Sequence, residues 1–209
     1  MNTVISTFAR QCVAAIGVMI ALTVLLGGAY PAVVWAASRL DTHAAEGSQI
    51  SDARGCNAGS SIIGIDPQPV AGQPDSFLHA RVLGSSDNPM APGDPSASAS
   101  SNDGPNSQDL ATMIEARRKI IAQREGVAPA AVPVDAVTGS GSGLDPDISP
   151  GYAKLQVPRI ARNSGRTQAQ VQAIIDKYTS GRQWGFLGQP TVDVLQVNLA
   201  LGHTVCPRS

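Results

Sequence analysis

The chain has 209 residues, which is enough for one domain of ordinary size and an additional segment. Its formal net charge is −1, and it has no cluster of basic residues interleaved with aromatic ones, so the composition excludes a nucleic-acid-binding protein. Charged residues make up 15% of the chain, whereas roughly 25% is usual, and the first forty residues account for much of the shortfall.

An uncharged and strongly apolar run occupies residues 11–38, between Arg10 and Arg39. About 20 apolar residues in a helix cross the ~30 Å hydrocarbon core of a bilayer, and this run is longer. It therefore predicts a transmembrane helix over 11–38, preceded by a short N-terminal tail at 1–10. Pro31 is expected to kink or loosen the last turns of that helix.

A cleaved signal peptide is the alternative interpretation of this run, because Val34, Trp35 and Ala36 form a passable cleavage pattern. The apolar part of a signal peptide usually has about 7–15 residues, however, so the length favours a retained helix. Flanking basic residues barely distinguish the two orientations. A short leader before a long, charge-poor domain is compatible with the N-terminus inside and the domain outside.

The three cysteines and three histidines do not form a metal-binding pattern. Cys12 lies inside the apolar run, whereas Cys56 and Cys206 bracket the remaining chain. These two are able to pair in an oxidising exterior and would stay reduced in the cytosol. The sequence also has no G-x-S-x-G and no H-E-x-x-H motif, so we predict neither a metal site nor catalytic residues.

The part after the apolar run begins with irregular segments. Residues 39–58 are small and polar and are interpreted as a linker, so the soluble domain is expected to begin at 59. The β-branched run at 60–65 predicts a strand, and residues 77–84 predict a strand or a turn. Residues 85–107 contain few apolar side chains to offset the entropy of ordering, which predicts a flexible polar loop.

A first soluble helix is predicted between Ser107, as its N-cap, and Gly126, which stops it. Its apolar face contains Leu110, Met113 and Ile121. The opposite face is expected to be solvated and carries charged residues. These are Glu115, Arg118, Lys119 and Glu125.

Further elements follow toward the C-terminus. Residues 132–137 predict a short extended run, and a Ser-Pro pair at 149–150 predicts a helix that continues to Arg162 and is bent or broken at Pro158. A capping box starts the next helix at Thr167. Residues 191–201 predict a strand, or a strand that passes into a helix. The predicted fold is a mixed α/β domain on one N-terminal transmembrane helix.

A glycine-rich loop lies within "VTGSGSGLDP", and it comprises Gly139, Ser140, Gly141, Ser142 and Gly143. It lacks the lysine of a Walker A loop, and its third glycine comes one residue too soon for a dinucleotide fingerprint. Two interpretations remain. Successive N–H groups form an anion nest, or the three glycines permit positive φ in a rigid turn, which we favour.

Four motifs carry a resemblance to a known family. They are "GSSIIG" at 59–64, "VPVDAVTGSGSGLDPDISP" at 132–150, "KLQVPRIAR" at 154–162 and "GFLGQPTVDVLQVNLAL" at 185–201. With the apolar run before them, they resemble the KdpC family, the C subunit of the bacterial potassium-transporting P-type ATPase. The resemblance is patchy before residue 107 and nearly continuous over 108–201. Residues 77–107 depart from the family pattern.

The resemblance implies a non-catalytic accessory subunit of a high-affinity, ATP-driven potassium import complex in the bacterial inner membrane. Its partners would be a potassium-channel-like subunit, a P-type ATPase subunit and a small membrane peptide, within the lipid bilayer. The family is described as a catalytic chaperone that raises the ATP affinity of the ATPase subunit. The chain would have no cofactor of its own, and ATP would act through the complex.

By motif, the family glutamine that contacts the nucleotide corresponds to Gln156 in "KLQVP". An amide can hydrogen-bond a ribose hydroxyl, but it can equally satisfy a neighbouring backbone group. The resemblance also places the soluble domain outside, over the potassium entry, whereas ATP is inside. A domain outside would act on ATP use indirectly. The alternative function is an independent membrane-anchored binding module with no transport role.

Overall fold

A computed structural model describes residues 2–85 and 87–204, and the chain divides into two compact units, Met1–Ser48 and Gln49–Ser209. The second unit begins earlier than the predicted domain start at residue 59, because two short strands, at Gln49–Ser51 and Asn57–Ser60, begin before that position.

The first unit consists mainly of α1 (Asn2–Val24) and α2 (Tyr30–Ser38), which are joined by a π-helical turn at Leu25–Ala29. Pro31 is the second residue of α2, one position beyond Tyr30, and the wide turn before it agrees with the expected loosening near a residue that has no N–H to donate. The stretch Val4–Ser38 is long and apolar enough to cross a membrane. A one-turn helix, α3 (Thr42–Ala45), follows it.

The second unit contains, in its described part, two small antiparallel sheets and five α-helices. One sheet pairs β1 (Gln49–Ser51) with β2 (Asn57–Ser60), and the other has the order β3–β5–β4, with β3 at Asp147–Ile148, β4 at Thr179–Ser180 and β5 at Thr191–Asp193. The helices are α4 (Gln108–Glu125), α5 (Val134–Val137), α6 (Pro150–Ser164), α7 (Gln168–Lys177) and α8 (Val194–Ala200).

The helix boundaries follow local capping chemistry, and the predicted N-caps are confirmed. Ser107 accepts a hydrogen bond from the N–H of Leu110, and Thr167 forms both bonds of the predicted capping box. Ser149 caps α6, which continues through Pro158 and ends at Ser164, two residues beyond the prediction. The helix therefore tolerates its internal proline.

Three predictions need correction or refinement. The strand predicted at 60–65 lies earlier, at Asn57–Ser60. Residues 132–137 are not extended, because Pro133 has the backbone conformation of an N-cap and begins the one-turn helix α5. The stretch 191–201 is a strand that passes into a helix, as the second interpretation had it.

The core of the second unit surrounds α6, which packs against α4, α7 and β5. Tyr152 and Ile160 of α6 are fully buried, together with Ile121 of α4 and Val171 of α7. The mixed α/β fold is therefore confirmed. The stretch 85–107 contains no helix or strand among its described residues, and its flexibility stays a prediction.

Gly64 ties the first part of this unit to the loop before β3. Its N–H donates to the carbonyl of Leu144 at 2.8 Å, and a Cβ at this position would lie within 3.0 Å of backbone atoms of Asp145 and Pro146. Backbone atoms cannot swing aside as a side chain can, so this close approach requires glycine.

We predict that Gly64→Ala lowers the free energy of unfolding by about 1–3 kcal/mol, because the backbone at Asp145 must move. Gly141→Ala is the matched control, since the space around Gly141 is open, and we expect a change below about 1 kcal/mol. Urea unfolding of the full chain in mild detergent, followed by circular dichroism, measures both. Equal midpoints for the two variants would contradict the close approach.

Candidate functional site

Residues 77–82, here called the central segment, cross the interior of the second unit without joining a helix or a strand. Leu78, Ala80 and Val82 are at most 2% exposed. A buried backbone N–H or carbonyl must find a partner inside the protein. Because no strand among the described residues lies beside this segment, other groups must bond its backbone N–H and carbonyl groups.

Two side-chain amides supply the missing hydrogen bonds. Asn198 of α8 accepts from the N–H of Leu78 at 2.8 Å and donates to its carbonyl at 2.9 Å. Gln156 of α6 accepts from the N–H of His79 at 2.8 Å and donates to its carbonyl at 3.1 Å. Asp66 then accepts from the N–H of Ala80 at 2.8 Å. Side chains thus take the place of a β-ladder.

Gln156, the predicted nucleotide-binding residue, is fully buried in this arrangement. Its carbonyl oxygen also accepts a hydrogen bond from Nη2 of Arg159 at 2.9 Å. The amide therefore faces the backbone of His79, and a nucleotide could reach it only if these bonds were broken. Nucleotide binding by Gln156 stays a prediction, and its observed bonds are those of the structural alternative.

A buried chain of charged groups lies directly against the central segment. The ring nitrogens of His79 lie 3.0 Å from an oxygen of Asp66 and 2.8 Å from an oxygen of Asp75. Arg159 lies 3.2 Å from Asp75 and 3.0 Å from Glu125. Each carboxylate in this network thus lies within hydrogen-bond distance of a basic side chain.

The position of Glu125 corrects the expected solvated face of α4. Its side chain is buried between Arg159 and Arg124, and Arg124 also donates to the hydroxyl of Tyr152 at 2.9 Å. Burial raises the pKa of Tyr152 to about 12, against the opposing effect of Arg124. The sequence spacing indicates this burial, because Glu125 is four residues from Ile121 and therefore lies on the same, apolar face of the helix.

Burial by itself would raise the pKa of Asp75, but the hydrogen bond and positive charge of His79, with the charge of Arg159, lower it from 3.8 to about 2. A carboxylate whose pKa is depressed in the folded state stabilises that state above its unfolded pKa. This stabilisation is lost as the pH falls through the folded value.

The glycine-rich loop is closed by its own hydroxyls. Ser140 is 3% exposed, and its oxygen accepts from the N–H groups of Gly143 at 2.9 Å and Ser142 at 3.2 Å. The hydroxyl of Ser142 accepts from Leu144 N–H at 3.1 Å. The N–H groups of Ser142, Gly143 and Leu144 are therefore engaged by hydroxyls of the loop, which supports the rigid-turn interpretation.

Only one of the three loop glycines has the positive φ that we expected of all three. Gly143 has φ +75°, whereas Gly139 and Gly141 lie outside the left-handed region. A Cβ at Gly143 would lie 2.7 Å from the carbonyl oxygen of Ala99 and 3.1 Å from Leu83. Gly143 is thus required both by its backbone conformation and by close packing against the 85–107 stretch.

Arg81 links this loop to the central segment, and Arg117 links α4 to two other stretches of backbone. Arg81 bonds Asp145 at 2.6 Å and the carbonyl of Gly139 at 2.6 Å. Arg117 of α4 is 3% exposed and donates to the carbonyls of Val137 and Pro89. Burial, followed by the charge of Arg81, lowers the pKa of Arg117. The sequence indicated neither arginine as a link between distant segments.

A cavity of about 660 Å³ lies beside the loop. Its lining includes Gly139 and Ser140, the apolar side chains of Leu110 and Met113, and the carboxylate of Asp109. Across the described residues, no group of three or more His, Cys, Asp or Glu side chains is placed to hold a metal ion. The cavity therefore offers mixed polar and apolar contacts without a metal centre in that part of the chain.

Only one residue of the predicted cysteine pair lies among the described residues. Cys56 is disulfide-bonded, whereas Cys206 lies outside the described residues, so the pairing of these two residues stays a prediction. Cys12 is free.

Over the described residues, these features define a class of protein: in chain order, one helical stretch of membrane-spanning length and then a small α/β domain whose buried polar residues hold its fold. Residues 12–203 match the family described as "K+-transporting ATPase, c chain". The chain belongs to this family, KdpC, and the resemblance found in its motifs is confirmed.

Named relatives agree with this assignment over nearly their whole length. A protein from Kineococcus radiotolerans named "Potassium-transporting ATPase KdpC subunit" is 40% identical over 96% of this chain and 97% of its own length. Proteins of the same name from Geobacter sulfurreducens and a Caulobacter species are 42% and 45% identical. The alignments cover 90% and 86% of this chain, and 94% and 86% of those proteins, respectively.

We predict that Gln156→Leu destabilises the domain by about 2–4 kcal/mol, because it leaves the backbone groups of His79 buried without partners. Gln123→Leu, an exposed change on α4, is the matched control and should alter stability by less than about 0.5 kcal/mol. Urea unfolding of the full chain measures both. A Gln156→Leu protein of unchanged stability would contradict the structural role.

Acid should weaken the fold through Asp75. Its stabilising contribution, about 2 kcal/mol, is present above roughly pH 4 and lost as the pH falls through about 2. Asp75→Asn should therefore flatten the dependence of the urea midpoint on pH between about 4 and 2. Asp109→Asn, at an exposed position, should keep most of the wild-type slope. Identical slopes in both variants would show that Asp75 carries no such linkage.

Proposed function

We propose that this chain is a non-catalytic accessory subunit of an ATP-driven, high-affinity potassium import complex. Its partners are a potassium-channel-like subunit, a P-type ATPase subunit and a small membrane peptide. Membership of the KdpC family supports this, since the named relatives match along almost their entire length. The fold supports a structural role, because buried polar groups such as Gln156 and Arg159 are engaged with the backbone or with one another.

The proposed effect on the complex is assembly together with a raised ATP affinity of the ATPase subunit. The position of Gln156 supports an indirect effect on ATP affinity. Its side chain is fully buried and is bonded to His79 and Arg159. Binding of the subunit to one state of its partners shifts their equilibrium, and this coupling changes ATP affinity without any shared contact.

The proposed location is a bacterial inner membrane, with the N-terminus inside and the soluble domain outside. The helical stretch Val4–Ser38 supplies the anchor. The disulfide at Cys56 supports the outer location, because disulfides persist in oxidising compartments and are rare in the cytosol.

Topology can be tested with one introduced thiol. In a chain carrying Cys12→Ser and Ala130→Cys, the only designed free thiol is at an exposed position of the second unit. We expect a membrane-impermeant maleimide to label intact cells, and labelling of lysed cells is the control for accessibility. Labelling only after lysis would place the domain inside and make direct nucleotide contact testable.

The functional proposal is tested by reconstitution with the partner subunits of the same genome. The full chain should co-purify with the channel-like and ATPase subunits from mild detergent. Omitting it should raise the apparent KM for ATP, since its coupling free energy is lost; a coupling of about 1–3 kcal/mol corresponds to roughly 5–150-fold. A chain that purifies alone beside expressed partners, or an unchanged KM, would contradict the proposal.

A further inference from the structure

The turn between β4 and β5 presents large apolar side chains to solvent. Trp184 is 85% exposed, Phe186 is 68% exposed and Leu187 is 42% exposed. These side chains lie within residues 181–190, here called the aromatic turn. Exposed apolar residues are common singly, but a clustered aromatic group at the tip of a hairpin marks an interaction surface.

The aromatic turn has a defined backbone conformation. Gln183 and Leu187 exchange two backbone hydrogen bonds of 2.9 Å each, and Arg182 donates to the side chain of Gln189 at 2.9 Å. Trp184 has φ +51°, a conformation that a bulky residue rarely adopts. A fluid bilayer does not require a fixed backbone, whereas a shaped pocket in a protein binds a preorganised turn more tightly.

The aromatic turn itself carries one charge. Residues 181–190 contain Arg182, which is exposed, and no aspartate or glutamate, whereas Asp193 lies at the base of the hairpin in β5. A complementary surface would therefore have an apolar pocket for the aromatic side chains and acidic residues at its rim.

We propose that the aromatic turn anchors this chain to an apolar, acid-rimmed pocket on another subunit of the transport complex. Tryptophan and arginine are enriched among the interface residues that dominate binding, and Trp184 with Arg182 supplies both. The proposal rests on the proposed function, because it identifies the surface through which the chain joins its partners.

The test compares matched double variants of the full chain. Trp184→Ala with Phe186→Ala removes the anchor, whereas Val70→Ala with Val134→Ala removes apolar side chains that are also exposed, by 64% and 71%. Binding is measured to the detergent-solubilised channel-like and ATPase subunits purified without this chain. We expect the anchor variant to bind about 30-fold more weakly or worse, and the control within about threefold of wild type.

Arg182→Glu gives an independent check on the charge. We expect slower association, and an association rate of the wild type that falls with added salt, because opposite charges steer the encounter. All variants should keep the wild-type urea midpoint, since the replaced side chains are exposed. Association that is indifferent to Arg182→Glu would contradict the acidic rim.

Binding of the wild-type chain tests the proposed function, and binding of the anchor variant tests the docking surface. If the wild-type chain does not bind the partner subunits, the proposed function fails and the docking proposal with it. If the wild type binds and the anchor variant binds equally well, only the docking proposal is overturned. A lipid-binding role is the third outcome. In a Trp35→Phe chain, quenching of Trp184 by brominated lipids in partner-free vesicles would show a membrane anchor and overturn the proposal.

Discussion

The structure of the second unit depends on a segment that crosses its interior without a neighbouring strand. Leaving a buried N–H or carbonyl without a partner costs about 1–3 kcal/mol, so the central segment requires substitutes for a β-ladder. Gln156 and Asn198 supply them from two different helices, and each amide pairs with both groups of one residue. The segment in turn positions Arg81, which holds the glycine-rich loop.

The charged groups around this segment are also buried, and they too require partners inside the protein. Burying one ion is costly, and burying a paired and hydrogen-bonded set is tolerated because each charge is compensated. Arg159 illustrates this, since it contacts Asp75 and Glu125 and also donates to the carbonyl of Phe77. Charge pairing and backbone bonding therefore fix one arrangement of helices, which suits a subunit whose proposed work is to present surfaces to partners.

Local chemistry was predictable from the sequence, and long-range partners were not. Ser107, Ser149 and Thr167 cap their helices within four residues, so their roles can be found in a short window. Gln156 meets a residue 77 positions away, and Glu125 meets one 34 positions away. Without knowledge of the fold, Gln156 fitted a nucleotide contact as well as a backbone contact, and Glu125 fitted a solvated face.

Amide hydrogen exchange of the full chain tests the role of the central segment most directly. If side-chain amides hold its backbone, the N–H groups of Leu78 and His79 exchange as slowly as those in the middle of α6, although neither residue belongs to a helix or strand. In a Gln156→Leu chain, the protection of His79 is lost first. Exchange of Leu78 and His79 as fast as that of the exposed 70–73 turn in the wild type would contradict the account.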